Sequence, residues 1–244
     1  MTEIDVTERK RAEELLKKNG LDRFCYLIPK FYDFAAYLLE ENKKHNLTAL
    51  REIGDVWVRH FADSLLFADM FEGEHKTLID VGCGGGFPSV PLAIACKNLK
   101  VTAMDSTKKK TDFVVSAAQR IKIDNYSALC ARAEEAGKNK VYRERYDIAT
   151  ARAVAALPAL AEYCLPLVRV GGAFLSYKGK DAEIECAAAE PIIANLGGKI
   201  ERIEKRILTD ENGEEMERAL IVIRKVRNTP PVFPRKNSAI LKSK

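Results

Sequence analysis

No apolar run in the 244 residues approaches the roughly 18 residues that a membrane-spanning helix requires. Residues 1–18 are charged throughout and lack the apolar region of a signal peptide. We therefore expect a cytoplasmic protein with no membrane partner. Its 47% apolar and 31% charged residues are typical of globular proteins and supply ample side chains for a core. The sequence predicts no obligate protein partner.

Cysteine pairs at metal-binding spacing are missing as well. None of the six cysteines forms a C-x-x-C pair, and most of them lie in apolar runs. We therefore expect buried free thiols, with neither a disulfide framework nor a metal site. Cys83 lies in a glycine-rich loop, and we interpret it as a small residue beside a ligand. The other five are Cys25, Cys96, Cys130, Cys164 and Cys186.

Two common nucleotide-binding motifs are absent from the glycine-rich stretch at residues 78–88, LIDVGCGGGFP. The dinucleotide motif G-x-G-x-x-G ends in a glycine where this chain has Phe87, and the phosphate-binding loop needs a Gly-Lys-Ser/Thr that does not follow. An apolar strand is instead followed by Gly82, Gly84 and Gly86, whose missing Cβ atoms let a ligand approach the backbone. This D-x-G-x-G-x-G pattern resembles the first motif of the class I S-adenosylmethionine-dependent methyltransferases. The alternative is a tight turn without a ligand.

Strands and helices alternate from residue 77 onward. Apolar runs bounded by turn residues predict five strands separated by helices, and two more strands form a hairpin around Asn212-Gly213. Such alternation predicts an α/β fold with a Rossmann-like, doubly wound, mostly parallel seven-stranded sheet and a C-terminal antiparallel hairpin. The predicted strands are 78–81, 100–104, 126–130, 146–150, 172–177, 200–208 and 217–225.

The N-terminal third is helical and should cap the sheet. We divide the chain into this cap at 1–75, a ligand-binding domain at 76–226 and a basic tail at 227–244, which together make one compact domain. A later helix at 181–196 should be interrupted at Pro191. Apolar residues at helical spacing predict cap helices at 7–18, 21–44 and 55–71.

Polar residues at the ends of successive strands are the candidates for ligand contacts, because the carboxyl ends of parallel strands meet at one crevice. Asp105 follows the second strand and can accept both hydroxyls of a ribose; alternatively it caps the next helix. Glu134 follows the third strand, where an acid and a backbone amide can read an adenine edge; alternatively it is solvated. Arg152 follows the fourth strand and can hold a carboxylate, a phosphate or a base.

The C-terminal tail is basic. The net charge is +5, yet from residue 224 onward there are seven Lys or Arg residues and no Asp or Glu. A basic tail with several prolines indicates a polyanionic partner, and the alternative is a solvated tail without one.

Taken together, seven motifs in order resemble the RsmG family, also called GidB, over about residues 21–240. That family methylates N7 of a guanine in small-subunit (16S) ribosomal RNA. The resemblance implies a class I methyltransferase fold and S-adenosylmethionine contacts at Gly82, Phe87, Ala133, Glu134 and Arg152. The matching motifs are Asn46-Leu47-Thr48, residues 60–65, residues 80–88, Asp105-Ser106-x-Lys108-Lys109, Arg132-Ala133-Glu134, residues 150–154 and Tyr177-Lys178-Gly179.

The implied chemistry requires no catalytic base. N7 of guanine carries a lone pair and no proton, so catalysis reduces to aligning it with the methyl group and excluding water. The fourth strand accordingly lacks the Asp/Asn-Pro-Pro-aromatic motif of amine methyltransferases. We identify no catalytic residue; Arg152 is the best candidate for a position near the methyl.

Substrate contacts are predicted at two places. Asn46, His60 and Asp63 precede the glycine motif and are candidates for a guanine pocket, although polar groups on helices are usually structural. Arg235 and Lys236, in the tail, are candidates for contacts to RNA phosphates.

Three alternatives stay open at this point. The same fold and cofactor can serve another RNA or a small molecule, although the basic tail favours RNA. A nicotinamide oxidoreductase is disfavoured by Phe87 at the last glycine position. A non-catalytic module would bind cofactor or RNA without transferring a methyl group.

Overall fold

A computed structural model of the protein describes residues 4–241. All seven predicted strands form, and six of them are longer than predicted. They are β1 (Lys76–Val81), β2 (Leu99–Asp105), β3 (Tyr126–Cys130), β4 (Tyr146–Arg152), β5 (Val168–Lys178), β6 (Gly198–Thr209) and β7 (Glu215–Lys225).

The strands form one mixed sheet in the order β3-β2-β1-β4-β5-β7-β6. Strands β1 to β5 pair in parallel, whereas β7 runs antiparallel to both β5 and β6. The predicted doubly wound sheet with a C-terminal hairpin is therefore confirmed. The strand order reverses between β1 and β4, so a crevice opens above their carboxyl ends.

The hairpin turn follows from its sequence. Gly213 has a φ of +88°, in the left-handed region that favours glycine. The turn closes with hydrogen bonds from the Gly213 amide to the carbonyl of Asp210 and from the Asp210 amide to the carbonyl of Glu214. The hairpin predicted around Asn212-Gly213 is confirmed.

The N-terminal helices pack on one face of the sheet. Their bulky side chains, such as Phe31, Phe34 and Trp57, are buried in a core shared with strands β1 and β2. The elements are α1 (Val6–Lys18), a 3₁₀ turn (Asp22–Leu27), α2 (Ile28–His45), α3 (Ile53–Val56), a π-helical turn (Trp57–Ala62), α4 (Asp63–Leu65) and a 3₁₀ turn (Ala68–Phe71).

The predicted continuous helix at 55–71 is wrong. The segment contains a π-helical turn and breaks after Leu65. The aromatic rings of Phe67 and Phe71 pack against the ring of Tyr177 on β5, with centroid distances of 5.8 and 6.5 Å. Contacts to the sheet therefore override the helical periodicity of this segment.

Both faces of the sheet are covered. Helices α5 (Ser89–Ala95) and α6 (Lys108–Arg120) share the face of the N-terminal helices. The opposite face packs against α8 (Leu157–Cys164) and α9 (Ala182–Asn195), and the short helix α7 (Ala133–Ala136) adjoins it. This arrangement leaves the carboxyl ends of the strands accessible as a site.

Helix α9 is not interrupted at Pro191, contrary to expectation. A proline deprives the carbonyl four residues earlier, here that of Ala187, of its helical hydrogen bond. Both Pro191 and Ala187 are exposed. Water can therefore satisfy that carbonyl, and the helix continues.

The described part of the C-terminal tail is folded onto the protein. Lys225 is buried and donates to the carbonyl of Leu165 and to the hydroxyl of Thr229, at 2.6 and 2.5 Å. The last described element is a short helix, α10 (Asn237–Ile240). Of the seven basic residues counted in the tail, Lys242 and Lys244 lie outside the described residues.

Cysteine burial differs from the expectation at two positions. Cys83, Cys96, Cys164 and Cys186 are buried free thiols, whereas Cys130 is exposed and Cys25 is half-buried. Cys130 is the last residue of β3, an edge strand that pairs with β2 along one side. Within residues 4–241, no helix combines the length and the apolar character that a membrane crossing demands.

Candidate functional site

A cavity of about 850 Å³ opens at the carboxyl ends of β1 to β4. Its size falls in the range of small-molecule sites. It brings together most of the predicted site residues but not Gly86, Asn46, Arg235 or Lys236. Those that line it are Gly82, Gly84, Phe87, Asp105, Ala133, Glu134, Arg152, His60 and Asp63.

The three glycines of the loop have different roles. Gly82 and Gly84 line the cavity with φ of +78° and +53°, and a Cβ on Gly84 would meet no atom within 4 Å. Gly84 therefore leaves its backbone open to a ligand. Gly86 does not line the cavity: a Cβ there would lie 2.7 Å from the side chain of Val90. The structure gives Gly86 a packing role, in contrast to the predicted ligand contact.

Asp105 ends β2 and lines the cavity. Its Oδ1 accepts a hydrogen bond from the amide of Thr107 at 2.9 Å. Thr107 is the N-cap residue of α6, so this bond shapes the turn before the helix, and the alternative that Asp105 itself caps α6 is wrong. Its Oδ2 accepts from the amide of Gly84 at 3.2 Å, and the Lys110 ammonium lies 3.6 Å away. The carboxylate therefore ties the glycine loop to β2 and still faces the cavity.

Asp80 lies beneath the glycine loop and is fully buried. Within the described chain, neither of its carboxylate oxygens makes a hydrogen bond of regular geometry. Burial raises its pKa to about 7, and the nearby Ser89 and Arg152 offset that rise only in part. Near neutral pH the group is therefore divided between the protonated and charged forms.

Arg152 is held by several partners. Its Nη1 donates to Oδ2 of Asp63 at 2.7 Å and to the carbonyl of Arg59 at 2.9 Å, and its Nη2 lies 3.0 Å from Nδ1 of His60. Its guanidinium carbon lies 5.6 Å from the centre of the Phe87 ring. The predicted site residues Arg152, His60, Asp63 and Phe87 therefore form one contact network.

His60 is neutral at pH 7, because burial and the positive charge of Arg152 lower its pKa to about 4. Its ring stacks on Phe87 with centroids 4.1 Å apart, and its Nε2 lies 2.8 Å from Oγ1 of Thr48. Since the guanidinium can only donate, Nδ1 accepts from Arg152 and Nε2–H donates to Thr48.

Asp63 accepts from a second arginine that the sequence analysis did not identify. Nε of Arg218, on β7, donates to Oδ1 of Asp63 at 2.6 Å. The ion pairs join the N-terminal helices to β4 and to the hairpin. Arg218 is distant in sequence from every motif, so no local signal indicated it.

Two further cavity residues were also missed. Tyr163 on α8 and Asn237 in α10 line the cavity together with Ala133 and Glu134. The hydroxyl of Tyr163 donates a hydrogen bond to Oδ1 of Asn237. Both residues come from segments that show no ligand motif in the sequence.

The remaining substrate candidates lie elsewhere. Asn46 ends α2 with a φ of +47°, a position that asparagine tolerates well. Arg235 forms an ion pair with buried Glu162 at 2.6 Å, so its guanidinium stabilises the tail. Lys236 is exposed at the start of α10.

A comparison with known protein families finds one family that matches most of the chain. Residues 27–228 match the family described as GidB, rRNA small subunit methyltransferase G. This chain belongs to the GidB family. The predicted family resemblance is thereby confirmed.

Relatives of this GidB-family chain match it over most of its length. The ribosomal RNA small subunit methyltransferase G of Lactobacillus johnsonii is 44% identical over 209 residues, which cover 83% of this chain and 86% of the relative. The protein of the same name from Acetivibrio thermocellus is 42% identical over 237 residues, which cover 97% and 96% of the two chains.

The fold of this GidB-family chain resembles solved methyltransferases at much lower identity. A geranyl diphosphate methyltransferase solved in complex with S-adenosylmethionine superposes with a TM-score of 0.51. The match covers 68% of this chain and 85% of the other, at 15% identity. The predicted class I methyltransferase fold is therefore confirmed.

Proposed function

We propose that this chain transfers a methyl group from S-adenosylmethionine to N7 of a guanine in small-subunit (16S) ribosomal RNA. The observation that carries the proposal is membership of the GidB family over residues 27–228, combined with a cavity at the carboxyl ends of the strands. The relatives named above are ribosomal RNA small subunit methyltransferases by name.

The residues of the cavity fit S-adenosylmethionine. Gly84 leaves its backbone uncovered by any side chain, and the carboxylate of Asp105 can accept the hydroxyls of the ribose. Ala133 and Glu134 follow β3, and the carboxylate of Glu134 can accept from the amino group of the adenine. When bound, the cofactor supplies a methyl group on a positively charged sulfur.

The contribution of the protein is orientation and the exclusion of water. Guanine N7 has no proton to lose, so the site needs no general base. Arg152 is the group that we place near the methyl, and Asp63 and His60 restrict its guanidinium to one position. Arg152 has five N–H donors, and those that its protein partners leave over can hold the substrate.

Two exposed arginines at the mouth of the cavity, Arg59 and Arg132, are suited to RNA phosphates. Contacts of this kind position the RNA without reading its sequence. Binding should therefore weaken steeply with salt, because each neutralised phosphate releases counterions. We also propose a cytoplasmic location, which a ribosomal RNA substrate supports.

The test is methyl transfer from labelled S-adenosylmethionine to small-subunit ribosomal RNA from a strain that lacks this gene. Cleavage at 7-methylguanine then maps the product. We expect one labelled and cleavable guanine. Label that resists this cleavage would contradict the N7 assignment. If the protein binds the cofactor but labels neither free ribosomal RNA nor assembled subunits, the substrate is instead another RNA or a small molecule.

A further inference from the structure

The C-terminal segment, defined here as residues 229–241, supplies part of the cavity wall. Asn237 lines the cavity, whereas the family match ends at residue 228. Asn237 therefore lies beyond the residues that the family model matches. The following inference rests on the proposed function, because it concerns the adenine of S-adenosylmethionine.

One arginine anchors this segment beside the loop after α7. Nη1 of Arg143 donates to the carbonyls of Gly137 and Phe233, at 2.7 and 2.9 Å. Its Nη2 donates to the carbonyls of Thr229 and Pro230, at 2.6 and 3.2 Å. Since Gly137 directly follows α7 and the other three lie in the C-terminal segment, Arg143 ties that segment to the helix that carries Glu134.

A buried carboxylate anchors the same segment closer to Asn237. Glu162 is fully buried and accepts from the amide of Arg235 at 2.6 Å and from Nη2 of Arg235 at 2.6 Å. Ile240, at the end of α10, is also buried. Asn237 is therefore held from both sides and does not depend on a ligand to reach its position.

The side chain of Asn237 has a defined orientation. Its Oδ1 accepts from the hydroxyl of Tyr163, so its amide nitrogen keeps two donors for other partners. Glu134 lines the same cavity as this pair, and α7, which carries Glu134, packs against α8, which carries Tyr163. In keeping with that position, burial and then the charge of Glu134 raise the pKa of Tyr163. The cavity wall thus combines a donor from Asn237 with an acceptor from Glu134.

This combination is complementary to adenine. Its Watson–Crick edge places the N6 amino donor next to the N1 acceptor. We infer that Asn237 donates to N1 of the adenine while Glu134 accepts from its N6 amino group. Asn237 is therefore a residue that determines specificity for the adenine of the cofactor.

The test measures binding of two product analogues by calorimetry on the full chain. S-adenosylhomocysteine carries adenine, whereas S-inosylhomocysteine carries hypoxanthine, which presents an acceptor at position 6 and a donor at N1. We expect Asn237→Ala to raise the Kd for the adenine form roughly three- to tenfold, as for the loss of one hydrogen bond. The Kd for the hypoxanthine form should change less, so discrimination between the two narrows.

A second variant and a control complete the test. Asn237→Asp keeps an acceptor for Tyr163 but offers no amide donor, so it should shift preference toward the hypoxanthine form. Ser238→Ala alters an exposed neighbour in the same helix and should leave both constants unchanged. Equal weakening of both analogues by Asn237→Ala and Asn237→Asp, or no change in either, would overturn the inference. Failure of the unaltered protein to bind S-adenosylhomocysteine would instead overturn the proposed function itself.

Discussion

Replacing Asp63 by asparagine tests whether this residue holds Arg152 in place or contacts guanine. Asp63 is 8% exposed and accepts from Arg152 at 2.7 Å and from Arg218 at 2.6 Å. Asparagine keeps one acceptor oxygen but turns an NH₂ group toward the other guanidinium. One charge-assisted hydrogen bond is lost, and the other keeps its charged guanidinium donor but loses its charged acceptor.

The expected loss of stability follows from these contacts. A hydrogen bond to a charged group contributes about 1.5–3 kcal/mol, and removing one partner of a buried ion pair costs about 3–5 kcal/mol. The Arg218 side chain is 25% exposed, which favours the lower end of that range. We expect Asp63→Asn to lower the free energy of unfolding by about 3 kcal/mol, which shifts the urea midpoint down by roughly 1 M.

The assay is urea unfolding followed by circular dichroism at pH 7. The matched control is Asp55→Asn, since Asp55 is exposed in the same helical region and lies 4.0 Å from Arg59. Exposed pairs contribute about 0–1 kcal/mol, so the control should behave almost as the unaltered protein. An Asp63→Asn protein with an unchanged midpoint and no methyl transfer would refute our reasoning and favour a direct contact between Asp63 and guanine.

Three further predictions concern single groups. Because the pKa of His60 is lowered to about 4, the free energy of unfolding should fall as the pH drops from about 6.5 to 4. In the His60→Asn variant, the free energy of unfolding measured by urea should depend less on pH across that window. Asp80 has the opposite effect: its pKa is raised to about 7, so the free energy of unfolding falls as the pH rises from about 4 to 7. In the same urea assay, Asp80→Asn should therefore stabilise the protein more at pH 8 than at pH 5. Arg235→Gln should lower the free energy of unfolding by about 3 kcal/mol, because it leaves Glu162 buried without its cation. The control, Lys236→Ala, should change the free energy of unfolding by less than about 0.5 kcal/mol. Equal effects of the two substitutions would contradict the structural role of Arg235.

The strands were predictable because their signals are local. Apolar runs that end at glycines, prolines and polar residues mark each strand, and Asn212-Gly213 marks the hairpin turn. The predicted helix at 55–71 failed because its course depends on a distant partner, the ring of Tyr177 on β5. Helical periodicity describes which face is apolar but not what that face meets.

The residues of the candidate site also divide into those that a sequence pattern indicates and those that only a distant partner explains. Gly82, Asp105, Glu134 and Arg152 were predictable because parallel strands bring their carboxyl ends to one crevice. Arg235 was interpreted as an RNA contact from the charge of the tail, yet the structure pairs it with Glu162. Charge along a sequence does not reveal which cations already have a buried partner.

By itself, the sequence determined the fold class, the glycine loop and the family, because periodicity and motif order are properties of the chain read residue by residue. Only the tertiary structure decided that Asp63 lies between Arg152 and Arg218, and that Asn237 reaches the cavity beside Glu134. These groups are far apart in the chain. Burial and the packing of helices on the sheet bring them together, and no spacing rule along the sequence contains that information.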